Sequence, residues 1–130
     1  MALHNEFGTW GEEQACFYLL RNGYRLVDKN LKIGHLEVDL IMEDAGELVF
    51  VEVKTRSREW LHTAFEAVDA EKKRHVLNAA RSYKAMNYVD APFRFDIITI
   101  VGSRESYELT HYVDAFKPRV RHHYSQDELW

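Results

Sequence analysis

The sequence predicts an α/β domain in which a mixed β-sheet packs between helices. Three observations carry this. Two stretches, around residues 48–55 and 94–101, are short apolar runs of strand length. Two others, around 9–22 and 67–86, place apolar residues at three- and four-residue spacings, the period of a half-buried helix. The order of elements is α-β-β-β-α-β-β, which suits a sheet covered on both faces.

The first helix is expected from Thr9 to Asn22, with Thr9 as its N-cap and Gly23 as its stop. A strand over Tyr24–Leu31 follows. The segments Glu37–Glu43 and Leu48–Thr55 then form a hairpin around Asp44-Ala45-Gly46-Glu47, where Gly46 tolerates positive φ. Arg56 to Ala64 reads as a loop carrying Trp60. The second helix covers Ala67–Met86, with Val76, Ala79, Ala80, Tyr83 and Met86 on its apolar stripe. Strands over Arg94–Val101 and Tyr107–Val113 complete the sheet. From about Lys117 the chain reads as a polar, mobile tail.

A chain of 130 residues, 46% hydrophobic and 13% aromatic, is read as a single domain, 1–130, with a sizeable core. No apolar run reaches the length of a membrane span, and the first residues lack the basic and apolar regions of a signal peptide. The single cysteine, Cys16, excludes an internal disulfide and fits a reducing cytoplasm. A formal net charge of −4 argues against a protein that coats nucleic acid non-specifically, but not against an enzyme acting on it. The bases are locally dense at Lys54, Arg56 and Arg58, at Lys72, Lys73 and Arg74, and at Arg119 and Arg121.

The hairpin is where chemistry concentrates. Alternation puts Leu48, Phe50, Glu52 and Lys54 on one face of their strand and Val49, Val51, Val53 and Thr55 on the other. With a two-residue loop at Ala45-Gly46, Asp44 faces Glu47 and the register sets Asp39 opposite Glu52. A three-residue loop would shift that pairing by one. Two carboxylates that close repel unless a cation lies between them. A Glu-x-Lys pair alone is common in strands. Asp39, Glu52 and Lys54 together are equipment for a divalent metal and for phosphodiester hydrolysis. A further acid sits on the first helix. Glu12 shares a stripe with Ala15, Cys16 and Leu19, and Glu13 shares one with Cys16, Phe17 and Leu20, so periodicity does not choose between them. Asp96 reads as a structural partner of Arg94. Tyr83, Tyr88, Phe93 and Phe95 read as core, and the scattered histidines show no metal-ligand spacing except the adjacent pair His122 and His123, which reads as solvated tail.

Gly8-x-x-Gly11-Glu12-x-x-Ala15, Glu37-Val38-Asp39-Leu40-Ile41, Val49-Phe50-Val51-Glu52-Val53-Lys54-Thr55-Arg56, Asn78-Ala79-Ala80 and Arg94-Phe95-Asp96 occur in one order. In this the chain resembles the bacterial YraN-like family, UPF0102, which is similar to archaeal Holliday-junction resolvases of the PD-(D/E)XK nuclease superfamily. The resemblance runs from about Gly8 to Phe116. It departs at Leu36, where the family usually has Gly, and at Leu31 and Lys32 after Asn30, where an Arg is usual.

The resemblance implies a restriction-endonuclease-like fold and a metal-dependent endonuclease acting on DNA, branched DNA in particular. It implies Asp39, Glu52 and the Val53 carbonyl as ligands of Mg²⁺ or Mn²⁺, Lys54 as the positioned ammonium, and Glu12 rather than Glu13 as the helix acid. Oxygen donors suit those hard cations better than Zn²⁺. Arg56, Lys72, Lys73 and Arg74 are the expected phosphate contacts. Symmetric cleavage of a four-way junction needs two sites and hence a homodimer. The alternatives are a nucleic-acid-binding or adaptor module of the same fold that does not cut, and a nuclease for RNA or single strands.

Overall fold

The computed structural model describes residues 2–34, 36–58, 70–87 and 89–115, with the side chains of residues 2–5 and 70–73 left aside. Its elements are α1 (Ala2–Arg21), β1 (Arg25–Ile33), β2 (Leu36–Asp44), β3 (Glu47–Arg56), α2 (Ala70–Met86), β4 (Phe93–Gly102) and β5 (Tyr107–Tyr112). The five strands form one sheet in the order β1-β2-β3-β4-β5. All neighbours are antiparallel except β3 and β4, which run parallel. Parallel neighbours need a long crossover, and the connection containing α2 supplies it. This is an α/β fold of the restriction-endonuclease-like kind, a mixed sheet flanked by helices.

The two faces carry separate cores. Ala15, Tyr18 and Leu19 of α1 pack on Leu40, Met42, Val49, Val51, Ile98 and Ile100. Val76, Ala80 and Tyr83 of α2 pack on Ile41, Phe50, Phe95 and Ile97. Strand alternation produces this split, since odd and even positions of β3 and β4 serve opposite helices. Each such buried aliphatic side chain contributes about 1.5–3 kcal/mol.

Several expectations need correction at their edges. The first helix starts at Ala2, so Thr9 lies inside it and caps nothing. Its end does fall at Gly23. That residue sits at φ +89°, and the Gly23 and Tyr24 amides donate to the carbonyls of Leu20 and Leu19 at 3.1 and 3.0 Å, closing a Schellman motif. Met86 is 69% exposed, although Tyr83 and Lys84 of the same turn reach Phe50 and Phe93 of the sheet. The loop with Trp60, residues 67–69 of the expected helix, Tyr88 and the tail from Lys117 lie outside the described residues. Among the described residues no helix is long and apolar enough to cross a membrane.

Candidate active site

The β2–β3 hairpin has the two-residue loop. Ala45 and Gly46 both take positive φ, at +52° and +84°, and Asp44 pairs with Glu47. The ladder then runs through Leu40 opposite Val51 and stops one step before Asp39 and Glu52. At that step a side chain replaces the backbone acceptor. The Val53 amide donates to Asp39 Oδ2 at 2.8 Å. The strands part where the acids begin.

Asp39 is half-buried, and its carboxyl is pushed up to about 7 from an ordinary value of 3.8. Burial is the main cause. The Val53 amide opposes it, and the charges of Glu12, Glu52 and Glu37 add to it. On β3, Lys54 Nζ lies 3.1 Å from Glu52 Oε2, and the two side chains are only 11% and 20% exposed. Both follow Phe50 on the face that α2 covers further along the strand.

Glu12 approaches from the other side. The α1 backbone can come close to β3 because residue 11 is glycine, since a Cβ there would collide with the Thr55 side chain. Glu12 Oε1 accepts from Asn30 Nδ2 at 3.0 Å, and Asn30 itself sits at φ +49°. Glu13 is exposed. A cleft of about 360 Å³ opens beneath the start of α1, lined by Phe7, Gly8, Glu12, Val53, Thr55 and Arg56. Its lining includes Glu12 but not Asp39, Glu52 or Lys54. Among the described residues no three His, Cys, Asp or Glu side chains stand close enough to hold a metal by themselves. Asp39 and Glu52, with the Val53 carbonyl, are therefore the oxygens to weigh, and Glu12 acts on Asp39 through its charge.

Of the expected phosphate contacts, Arg56 lines the cleft and donates to the Thr55 carbonyl at 2.9 Å. Arg74 is exposed on α2. The side chains of Lys72 and Lys73 lie outside the described residues.

A second polar cluster was only half legible. Asp96 on β4 is fully buried. It accepts from Arg94 Nε at 2.9 Å, lies 2.7 Å from His111 Nε2, and accepts from the Asp114 amide at 3.0 Å. Tyr18 of α1 reaches His111 Nδ1 at 3.0 Å. Arg94 also donates to Glu47 and to the Tyr24 hydroxyl, at 3.0 and 2.7 Å. Burial alone would raise the Asp96 carboxyl, but the bonds from His111 and Arg94 outweigh it and hold it below the ordinary carboxylate range. Asp96 is a structural partner of Arg94, as the sequence suggested. His111, treated as scattered, is its second partner. The available signal was that His111 alternates with Leu109 on a strand with one buried face. Asn30, the partner of Glu12, was also not singled out for a role at the site.

The model of the Uncharacterised protein family UPF0102 matches residues 11–100. A UPF0102 protein of Bacteroides thetaiotaomicron is 42% identical over 91% of this chain and 98% of its own length. One from Phocaeicola vulgatus is 39% identical over 92% of this chain and 99% of its own. One from Porphyromonas gingivalis is 42% identical over 81% of this chain and 78% of its own. The chain belongs to the UPF0102 family.

Proposed function

We propose that this member of the UPF0102 family is a metal-dependent endonuclease that hydrolyses DNA phosphodiester bonds at the parting of β2 and β3. The observation that carries the reading is Asp39. Its carboxyl is buried, crowded by neighbouring carboxylates and raised to about 7, at the point where the backbone ladder gives way to side chains, and one of those carboxylates, Glu52, is paired with Lys54. Structural acids are normally neutralised by partners. This one is left to repel its neighbours, which is a mark of functional sites.

The residues present fit a hard divalent cation, Mg²⁺ or Mn²⁺. Asp39 and Glu52 offer carboxylate oxygens, and Val53 a carbonyl. A positive charge there would relieve the repulsion that raises Asp39. Bound at those oxygens, the cation supplies Lewis acidity toward a phosphoryl oxygen. The protein's own groups do the rest. The Val53 amide fixes the orientation of the Asp39 carboxylate. Lys54, held by Glu52, presents an ammonium to the charge that develops on the phosphoryl oxygens. Glu12, oriented by Asn30, adds negative charge that favours cation binding at Asp39. Arg56 at the cleft offers a positioning contact to a flanking phosphate.

The test is an assay with Mg²⁺ and with Mn²⁺ on linear, flapped and four-way DNA. Lys54→Ala is expected to lower turnover by about 10²-fold or more while DNA affinity changes little. Near-normal turnover in that variant would reduce Lys54 to a structural lysine. Absence of cleavage by the parent on all three substrates, with DNA binding retained, would favour the non-cutting module.

A further inference from the structure

The surface that continues from the cleft, away from Asp39, is aromatic and basic. Phe7 and Trp10 of α1 stack with centroids 5.6 Å apart and planes at 9°. Tyr107, at the start of β5, meets Trp10 edge-on at 5.0 Å, and its hydroxyl donates to Gln14 at 3.2 Å. Arg104, in the β4–β5 turn, lies over the Trp10 ring at 5.9 Å. Arg58, following β3, donates to Ser106 of that same turn at 2.9 Å. Arg56 lines the cleft itself. Three arginines thus border a row of three aromatic rings, and one end of the row, Phe7, is a wall of the cleft that also holds Glu12. Acids stand in the same segments, Glu6 and Glu12 on α1, Glu105 in the turn and Glu108 on β5, so the arginines act locally, Arg104 over Trp10 and Arg56 in the cleft.

Phe7 and Trp10 are partly buried, Trp10 against the α1-side core, and Tyr107 is 37% exposed. Partly exposed rings flanked by guanidinium groups suit a ligand with flat faces and negative charges. Duplex DNA presents its phosphates but hides its base faces within the stack. An unpaired strand presents both.

We propose that the Phe7–Trp10–Tyr107 row, bordered by Arg56, Arg58 and Arg104, is a platform for a single-stranded stretch of DNA leading into the cleft beside Glu12. The inference rests on the nuclease reading for its purpose and names the substrate feature the site selects, an unpaired segment next to the cut. Bases stack along the row while the arginines follow the backbone. Phe7, at the cleft wall, contacts the last base before the cleft.

The chain has three tryptophans, Trp10, Trp60 and Trp130. Replacing Trp60 and Trp130 by Phe leaves Trp10 as the only indole reporter. In EDTA, oligo(dT) is expected to quench Trp10 emission and to bind about tenfold more tightly than a blunt duplex of equal length. Phe7→Ala and the exposed Arg104→Glu should each weaken oligo(dT) binding about tenfold, with Phe7→Tyr near the parent. Arg104→Glu covers the case in which Phe7→Ala loosens the start of α1. No quench, or equal weakening of single strand and duplex in Arg104→Glu, overturns the platform. Quenching without cleavage of any DNA by the parent supports the platform and removes the nuclease reading. Cleavage without quenching does the reverse.

Discussion

Asp39 and Asp96 are both aspartates in apolar strands of one sheet, and their surroundings are opposite. Asp96 is fully buried, and Arg94, His111 and the Asp114 amide all point at it. Its charged form is favoured. Asp39 is less buried, yet its charged form is disfavoured, because burial is opposed only by the Val53 amide and is reinforced by the charges of Glu12, Glu52 and Glu37. Burial by itself does not separate a structural acid from a reactive one. The sign of the partners does. Around Asp96 the polar groups close a network that joins α1, β4 and β5. Around Asp39 they leave a deficit of positive charge that something outside the chain can fill.

Exchanging the two carboxylates for amides should give the largest contrast. Asp96→Asn leaves Arg94 and His111 facing a neutral group in the core, and a loss of about 3–5 kcal/mol in folding stability is expected. Asp39→Asn should keep the fold and abolish Mn²⁺ binding measured by calorimetry. Chemical denaturation of both variants checks the first part. A stable Asp96→Asn protein would mean that the β4 network is dispensable. Mn²⁺ affinity in Asp39→Asn equal to that of the parent would remove the proposed site.

The two acids should also bend stability in opposite directions with pH. Asp39 is raised in the folded state, from 3.8 to about 7, so across that window the folded protein keeps a proton that the unfolded chain has lost. Its contribution therefore falls as pH rises from about 4 to 7. Asp96 is lowered, so its contribution is present above the ordinary carboxylate value and is lost as pH falls through its folded value. In EDTA, Asp39→Asn is expected to gain on the parent between pH 5 and pH 8. The deficit of Asp96→Asn should shrink only in acid. Parallel pH profiles for Asp39→Asn and the parent would show that Asp39 titrates normally.

A smaller effect concerns how Glu12 is delivered. Gly11→Ala puts a methyl group into the Thr55 side chain, which must move or push α1 off β3. A cost of about 1–3 kcal/mol is expected. The double variant Gly11→Ala/Thr55→Ala, with the Thr55 hydroxyl and methyl both removed, should recover part of it in thermal melts. No recovery would place the strain elsewhere.

The sequence made the β2–β3 hairpin legible in detail because its signals are local. Alternation predicted the faces of β3, while the loop length stayed open between two and three residues until Ala45 and Gly46 were seen at positive φ, and the ladder ends at Leu40 opposite Val51, one step short of the expected Asp39–Glu52 pair. The choice between Glu12 and Glu13 was not open to periodicity, because both fit a stripe. It depends on where α1 crosses the sheet, which Gly11 over Thr55 determines. The start of α1 was misread because Gly8 and Thr9 look like a helix boundary, while the aromatic row of Phe7, Trp10 and Tyr107 anchors the earlier turn. The role of His111 was hidden for a related reason. Its partners, Tyr18 and Asp96, come from elements far apart in the chain, and spacing along the sequence carries no trace of them.

The parallel junction of β3 and β4 has a kinetic side. The meander β1-β2-β3 and the hairpin β4-β5 each form from neighbouring segments, and such contacts close quickly. Joining them requires the chain from Ser57 to Pro92 to fold back as one large loop, and the Tyr18–His111 bond spans 93 positions. Loop-closure entropy must be met there before any bond is gained. The acids proposed for catalysis thus lie on the half of the sheet that can assemble by itself. The buried Arg94–Asp96–His111 network belongs to the β4-β5 half, and its bonds to Glu47, Tyr24 and Tyr18 cross the seam, as the latch of a late step in folding.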